Sequence, residues 1–339
     1  MKNHQAEDDK PIPQGQITAK QHFVPQFYLK KFVNSSGFIE VLDISRKTIL
    51  EPRAPKAVCY EKFFYGITTG ELDDVSQQIE KLFQQWEDAI AKQIEPIIVK
   101  LLNNSQIDDK EKWVIAFLMS MLWIRGPAMR EQINRMSEEV MKHVNKLWFS
   151  HPNTDSLFDK FDRETGSTTT PEVREKLKKT MTEGDYSLKF NNASHLQMFR
   201  NFQGFANLFH AQDWLVYIAK SDKKFTTSDN PITVVVPDKE GFYGPTFLER
   251  THYFPLTPDL LIKGRYPEKD LGKKLRRKTL FKQDDVEILK LNLTTANHVV
   301  QYAYAMERQS FEDLLSAVER WEQLQSVSDK ATKDKKWGS

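Results

Sequence analysis

Between Val75 and Leu102 apolar residues recur in three- and four-residue steps, at Ile79, Leu82, Phe83, Trp86, Ile90, Ile94, Ile97, Ile98 and Leu101. That spacing draws one apolar stripe along a helix of about eight turns, and such a stripe must be buried against other elements. Pro96 lies inside it and cannot donate to the carbonyl one turn back, so a kink is expected there. The helical period persists downstream. Asp108 or Asp109 is placed to cap an apolar helix through Trp113 to Ile124, which meets Gly126-Pro127. Met129, Ile133, Met136, Val140, Val144 and Leu147 mark a third helix. Pro171 to Thr182 reads as a short polar helix, and Ser194 to Phe209 as a longer one. The Ser/Thr/Asp/Gly-rich stretch 150–170 reads as a loop or lid.

On either side of this block the pattern shortens to β-like runs. Val24-Pro25 opens a short helix, then Phe38–Leu42 and Thr48–Leu50 read as a hairpin and Phe63–Tyr65 as a third strand. After Gln212 come Trp214–Ala219, Ile232–Val236, His252–Leu256 and Leu260–Ile262, with helices near 284–290, 294–301 and 308–326. The order predicts an α+β fold, predominantly helical, with one mainly antiparallel sheet formed from N-terminal and C-terminal strands. The expected organisation is one domain over 21–326 with a helical middle at 75–210, between disordered tails at 1–20 and 327–339.

The longest apolar run, Trp113 to Ile124, is twelve residues, well short of the roughly 20 that a spanning helix needs. No membrane is expected as partner. The first 20 residues lack the apolar core of a signal peptide. A single cysteine, Cys59, excludes an intrachain disulfide and a cysteine-rich zinc module, and fits a reduced, cytoplasmic setting. With a net charge of +2, no global field selects nucleic acid or an anionic membrane.

Four segments carry candidate chemistry. In Gln21-His22-Phe-Val-Pro25, His22 titrates near neutrality and could serve as acid, base or ligand, or could cap a helix. Thr226-Thr-Ser-Asp-Asn-Pro231 offers Ser228, Asp229 and Asn230 at a strand-to-strand turn, and the same residue types also build turns by bonding their own backbone. Arg125 and Arg130 follow the apolar helix, and a buried arginine there requires an anionic partner, for which Glu80 or Asp229 is available. The stretch Lys263 to Lys282 holds nine Lys or Arg against Glu268 and Asp270. It includes Lys273, Lys274, Arg276 and Arg277 and reads either as a phosphate-binding surface or as a solvated loop. His195 lies on an apolar helix face and reads as a core residue. No Walker loop, GxGxxG, GxSxG or HExxH pattern occurs.

The segments His22-Phe-Val-Pro-Gln-Phe-Tyr-Leu, Arg125-x-Pro127-x-x-Arg130, Phe225-Thr-Thr-Ser-Asp-Asn-Pro231 and Phe254-Pro-Leu-Thr-Pro258, followed by Asn292, Ala296 and Asn297, span about residues 20–305. In their order the chain resembles a family of uncharacterised bacterial proteins, domain of unknown function 4238. Gly126 stands where a small hydroxyl residue is expected. The resemblance implies one domain and a prokaryotic cytoplasmic setting, and it carries no established activity.

Two functions are open at this point. One is an enzyme acting on a phosphate-containing substrate or nucleic acid, a nuclease of the defence or toxin-effector kind. In it His22 is acid or base, Asp229 a ligand to a divalent metal or an orienting carboxylate, and Arg125 the charge stabiliser. Ser228, Asn230, Arg130 and the basic segment then hold substrate. That scheme requires His22, Arg125 and Asp229 to converge. The other is a non-catalytic binding protein in which these residues form a structural polar network. The aromatic content also admits a small-molecule site between helices and sheet.

Overall fold

A computed structural model describes residues 17–68, 70–236, 249–267 and 274–320. The helical block forms as its periodicity requires. Helix α2 (Asp74–Leu102) starts where Asp73 accepts from the Ser76 amide at 2.7 Å and continues through Pro96. Helix α3 (Asp109–Ile124) opens with a reciprocal cap: Asp108 accepts from the Glu111 amide at 2.8 Å and Glu111 from the Asp108 amide at 2.9 Å. Its residues Ile115, Ala116, Leu118, Met119, Met121, Leu122 and Ile124 are all buried, so α3 is the central rod of the fold. Pro127 sits in the first turn of α4 (Pro127–Phe149), where its missing N–H leaves no bond unmade.

The stretch 150–170 is not a loop throughout. It contains helix α5 (Thr154–Thr165), which ends at Gly166 in the left-handed region, φ +69°. Arg174 on α6 (Pro171–Glu183) ties α5 down through Asp159 at 2.8 Å and Asp162 at 3.0 Å. Polar composition masked this helix because its apolar contact is a single buried residue, Phe158 against Phe149 and beneath Arg174, with ion pairs around it. The segment 194–209 is likewise two helices, α7 (Ala193–Met198) and α8 (Phe202–His210), with a tighter 3₁₀ turn at Phe199–Asn201 between them.

The strands divide into three groups. Strand β1 (Lys20–His22) pairs antiparallel with β4 (Tyr60–Lys62), leading into the short helix α1 (Gln26–Leu29). The third N-terminal strand therefore lies three residues earlier than Phe63–Tyr65, because Phe63 turns the chain with φ +46°. Of the expected tail 1–20, residues 1–16 lie outside the described residues, while Lys20 belongs to this ribbon and the Thr18 amide donates to the Gln77 side chain at 3.0 Å. The hairpin β2 (Ile39–Asp43) and β3 (Thr48–Arg53) joins β11 (Tyr302–Ala305) and β6 (Thr227–Ser228) in the order β3-β2-β11-β6, all antiparallel. N-terminal and C-terminal strands thus share a sheet as expected.

The remaining C-terminal strands form their own five-stranded sheet: β10 (Leu275–Leu280), β5 (Asp213–Ala219), β9 (Leu260–Arg265), β8 (Thr251–Thr257) and β7 (Thr233–Val235), in that order. Only the β10–β5 pair within it is parallel. The basic segment is therefore not simply a loop, since its second half is edge strand β10. Helix α9 (Asp285–Ala296) runs unbroken and stops at Ala296, so one helix stands in place of the two expected near 284–290 and 294–301, and 297–301 is not helical. A last helix begins at 309 and is described to 320. Lys269, Lys273 and the expected tail 327–339 lie outside the described residues.

One apolar cluster reaches from Phe23 and Tyr28 through α2 and α3 to Trp214, Ile262 and Tyr304. A second cluster packs Ile288 and Leu291 of α9 on Tyr217, Leu261 and Leu280, on the opposite face of the five-stranded sheet. No described helix is long and apolar enough to cross a membrane.

Candidate functional site

Arg125 closes α3 and is 1% exposed. Its Nε donates to the Tyr65 hydroxyl at 2.9 Å, Nη1 to Glu87 at 2.7 Å and Nη2 to the His22 carbonyl, while the guanidinium lies 4.4 Å from the Phe83 ring centroid. The ion partner is thus Glu87, one heptad beyond Glu80, and Asp229 is not involved. The Tyr65 hydroxyl donates to the same His22 carbonyl at 2.9 Å. Gln21 completes the clamp, accepting from the Tyr65 amide at 2.8 Å and donating to the Ser76 carbonyl at 3.2 Å. It is thus the backbone of His22 that meets Arg125. Its ring turns the other way, against Tyr60 at 5.5 Å, with a bond to the Lys56 backbone and no hydrogen-bond partner for buried Nε2. Burial pulls its pKa below the usual histidine range, with Arg125 and Lys20 acting in the same sense.

Glu80, beside this cluster, is pushed up to about 7 by burial, opposed by Arg125 and assisted by Glu87. Arg130 holds Glu61 at 3.0 and 3.1 Å and covers the Phe64 ring at 4.2 Å. His195 is fully buried. Its Nε2 donates to the Ile124 carbonyl at 2.8 Å, and burial holds its pKa near 4.

Asp229 takes its contacts from another part of the fold. Its carboxylate accepts from the amides of Val300 at 2.9 Å, Gln301 at 2.7 Å and Tyr302 at 2.8 Å, and so shapes the entry to β11. Burial raises its pKa against the pull of those three amides. Ser228 accepts from the Asn230 amide at 3.0 Å, and Asn230 donates to the His298 carbonyl at 2.9 Å. Thr227 and Tyr28 share a hydrogen bond at 2.6 Å, and Asn292 accepts from the Thr226 amide at 3.0 Å. The Thr226–Pro231 motif thus fastens the N-terminal helix, β11 and α9 to one another. Among the described residues no three His, Cys, Asp or Glu side chains are gathered as a metal ion would require.

The basic segment behaves differently. Strand register places Arg276, Leu215, Lys263 and Tyr253 in one row across β10, β5, β9 and β8. Lys278, Tyr217 and Leu261 form the next row, and Asp213 and Arg265 the one before. Residues in one row share a face, and alternation sends Trp214, Val216, Ile262 and Phe254 to the core side. On the outer face α9 packs at Tyr217, Leu261 and Leu280, and the partly buried Leu215 and Tyr253 lie against the same cluster. The rest presents Lys263, Arg265, Lys274, Arg276 and Lys278; among the described residues Asp213 shares this face, Glu287 pairs with Lys278 and Asp284 acts on Lys278 as well. Lys263 stands 5.5 Å over the half-buried Tyr253 ring. Arg277 points to the core side and donates to the Ser105 carbonyl at 2.6 Å.

The family described as Protein of unknown function (DUF4238) matches residues 20–309. The chain belongs to the DUF4238 family. No curated protein and no solved structure matches it. The span shared with DUF4238 contains the Arg125 clamp, the Asp229 turn and the basic face alike. Leu215 and Tyr253 were missed as site residues because they become neighbours of Lys263 only through register. The one local signal was the Leu-Arg-Arg-Lys-Thr-Leu alternation at 275–280, which charge made look like a loop.

Proposed function

We propose that this chain is a nucleic-acid-binding protein of the bacterial cytoplasm that holds single-stranded nucleic acid on the outer face of its five-stranded sheet. One observation carries this: the row Arg276–Leu215–Lys263–Tyr253 puts cations two strands apart, about 10 Å, around an apolar residue and beside an aromatic ring. Edge protection explains charges on β10, since a charged edge resists pairing with another chain. It does not explain Lys263, which stands on the third strand of the sheet. Cations that track a backbone beside a ring that accepts a base are the general requirements for single strands. Binding is favoured over catalysis by His22, Arg125 and Asp229 because two of the three groups that chemistry needs, Arg125 and Asp229, are engaged. Arg125 is bonded in three directions, and three amides converge on the Asp229 carboxylate.

The test is fluorescence anisotropy with labelled single-stranded DNA and RNA, run beside a cleavage assay with Mg²⁺ or Mn²⁺. Binding without cleavage is expected, weakened several-fold in Lys263→Gln, Arg276→Gln and Tyr253→Leu. Cleavage abolished by His22→Ala in a folded protein would replace this function with a nuclease.

A further inference from the structure

A second place in the fold gathers aromatic and cationic groups from distant parts of the chain. It is a cleft of about 250 Å³ between the four-stranded sheet and the segment Ala57–Tyr60. Strand β11 supplies Tyr302 and Tyr304, β2 supplies Val41, and Arg53 ends β3 at the mouth. Register opposes Tyr304 to Val41, so their side chains share the sheet face that floors the cleft. The facing wall is Ala57, Val58, Cys59 and Tyr60. Among the described residues three tyrosines and one guanidinium line it and no carboxylate does, although Asp229 lies near enough to act on Cys59 and Tyr304.

The wall is held in an unusual backbone state. Cys59 has φ +55°, in the left-handed region that residues with a Cβ rarely occupy, and such strain tends to collect at ligand sites. It turns the chain so that Tyr60 opposes His22 in the β1–β4 ribbon. The Tyr60 ring is then braced by the His22 ring at 5.5 Å and by Lys20 Nζ at 4.7 Å from its centroid. Burial pushes the Cys59 thiol well above its usual range, and the Tyr304 hydroxyl is its hydrogen-bond partner. A protonated, enclosed thiol is a poor nucleophile, so the cleft is built to hold a molecule rather than to attack one.

We propose that this cleft binds a small planar aromatic anion, its ring against the part-exposed Tyr60 and Tyr302 and its charge on Arg53. Tyrosine faces and edges pair with flat rings, and a guanidinium offers a fork of donors to a carboxylate or phosphate. The volume is below the usual span for drug-sized ligands, which limits the occupant to about one ring system with its charged group. None of these residues belongs to the basic sheet face, so the two sites can be tested apart.

The experiment is isothermal titration calorimetry on the full chain with four probes. Salicylate and uridine monophosphate carry a charged group on or beside a ring, inorganic phosphate is the charge alone, and uridine is the ring alone. At least one charged-ring probe is expected to bind at least tenfold more tightly than phosphate or uridine. That binding should fall at least tenfold in Arg53→Gln and Tyr60→Leu and stay unchanged in Arg276→Gln. Arg53 is exposed, so Arg53→Gln keeps the fold even where Tyr60→Leu disturbs the ribbon. The proposal is overturned if neither charged-ring probe binds, if binding survives Arg53→Gln, or if phosphate alone binds as tightly. Comparing salicylate with the nucleotide distinguishes a carboxylate from a phosphate ligand.

Discussion

Three backbone amides converge on the carboxylate of Asp229, and that makes its charge hard to replace. In Asp229→Asn the shape is kept, yet a side-chain NH₂ must face an amide that also donates. We expect a loss of about 2–4 kcal/mol in urea unfolding, the range for hydrogen bonds to a charged group with one donor left unpaired. A change under about 0.5 kcal/mol would deny the turn its structural role. Glu80 and His195 set opposite pH trends. Burial raises Glu80 to about 7 from 4.5, so the folded state keeps a proton that the unfolded chain releases, and stability falls as pH rises through that window. Burial lowers His195 to about 4 from 6.5, so the unfolded chain takes up the extra proton, and stability falls as pH drops from about 6.5 towards 4. Glu80→Gln should therefore gain about 2 kcal/mol relative to wild type at pH 8 and little at pH 4, read from melting curves at both pH values. An equal shift at both would mean that Glu80 does not titrate as its burial implies.

At the scale of elements, the helix that most constrains the fold carries an exposed proline inside it, Pro96 of α2. Pro96→Ala restores one backbone donor and removes a clash, offset in part by a more flexible unfolded chain. A net gain of about 2 kcal/mol is expected in chemical unfolding, and a loss would show that a bend at Pro96 is needed for packing. Helix α2 was legible because a buried stripe writes its period directly into the sequence, and α3 because its apolar run is buried almost all round; α4 shows the same period, yet only Met129 and Ile133 of it are buried while Met136, Val140 and Leu147 are exposed. Helix α5 was not, since Arg174 and two aspartates hold it from α6. The partner of Arg125 shows the same boundary. Glu80 and Glu87 are seven residues apart on one helix face, and which of them meets Arg125 depends on how α2 slides against α3. Strand β10 was hidden by charge, because its apolar alternation is weak at an edge. The motif at Thr226–Pro231 was legible as special, but its bonds go to Tyr28, Asn292 and residues 298–302, which no local pattern names.

For the whole molecule, the N-terminal ribbon, the helical middle and the C-terminal strands contribute to one apolar core, and the polar motifs fasten these parts together. What they leave outward is a sheet face whose cations are set by register rather than by sequence neighbours. Five cations stand there, one of them (Lys278) already paired with Glu287, so four phosphate contacts at about 0.7 each give a slope of log K against log [salt] of about −3 for the binding of a single strand. Removing Lys263 or Arg276 should each make that slope shallower by about 0.7, one phosphate contact apiece. The most direct measurement is that slope, taken by anisotropy with a single-stranded oligonucleotide from low to physiological salt, for wild type, Lys263→Gln and Arg276→Gln. A slope near −3 that flattens in both variants is the expected result. No binding at low salt, or binding whose slope both substitutions leave unchanged, would contradict a role for this face in holding nucleic acid.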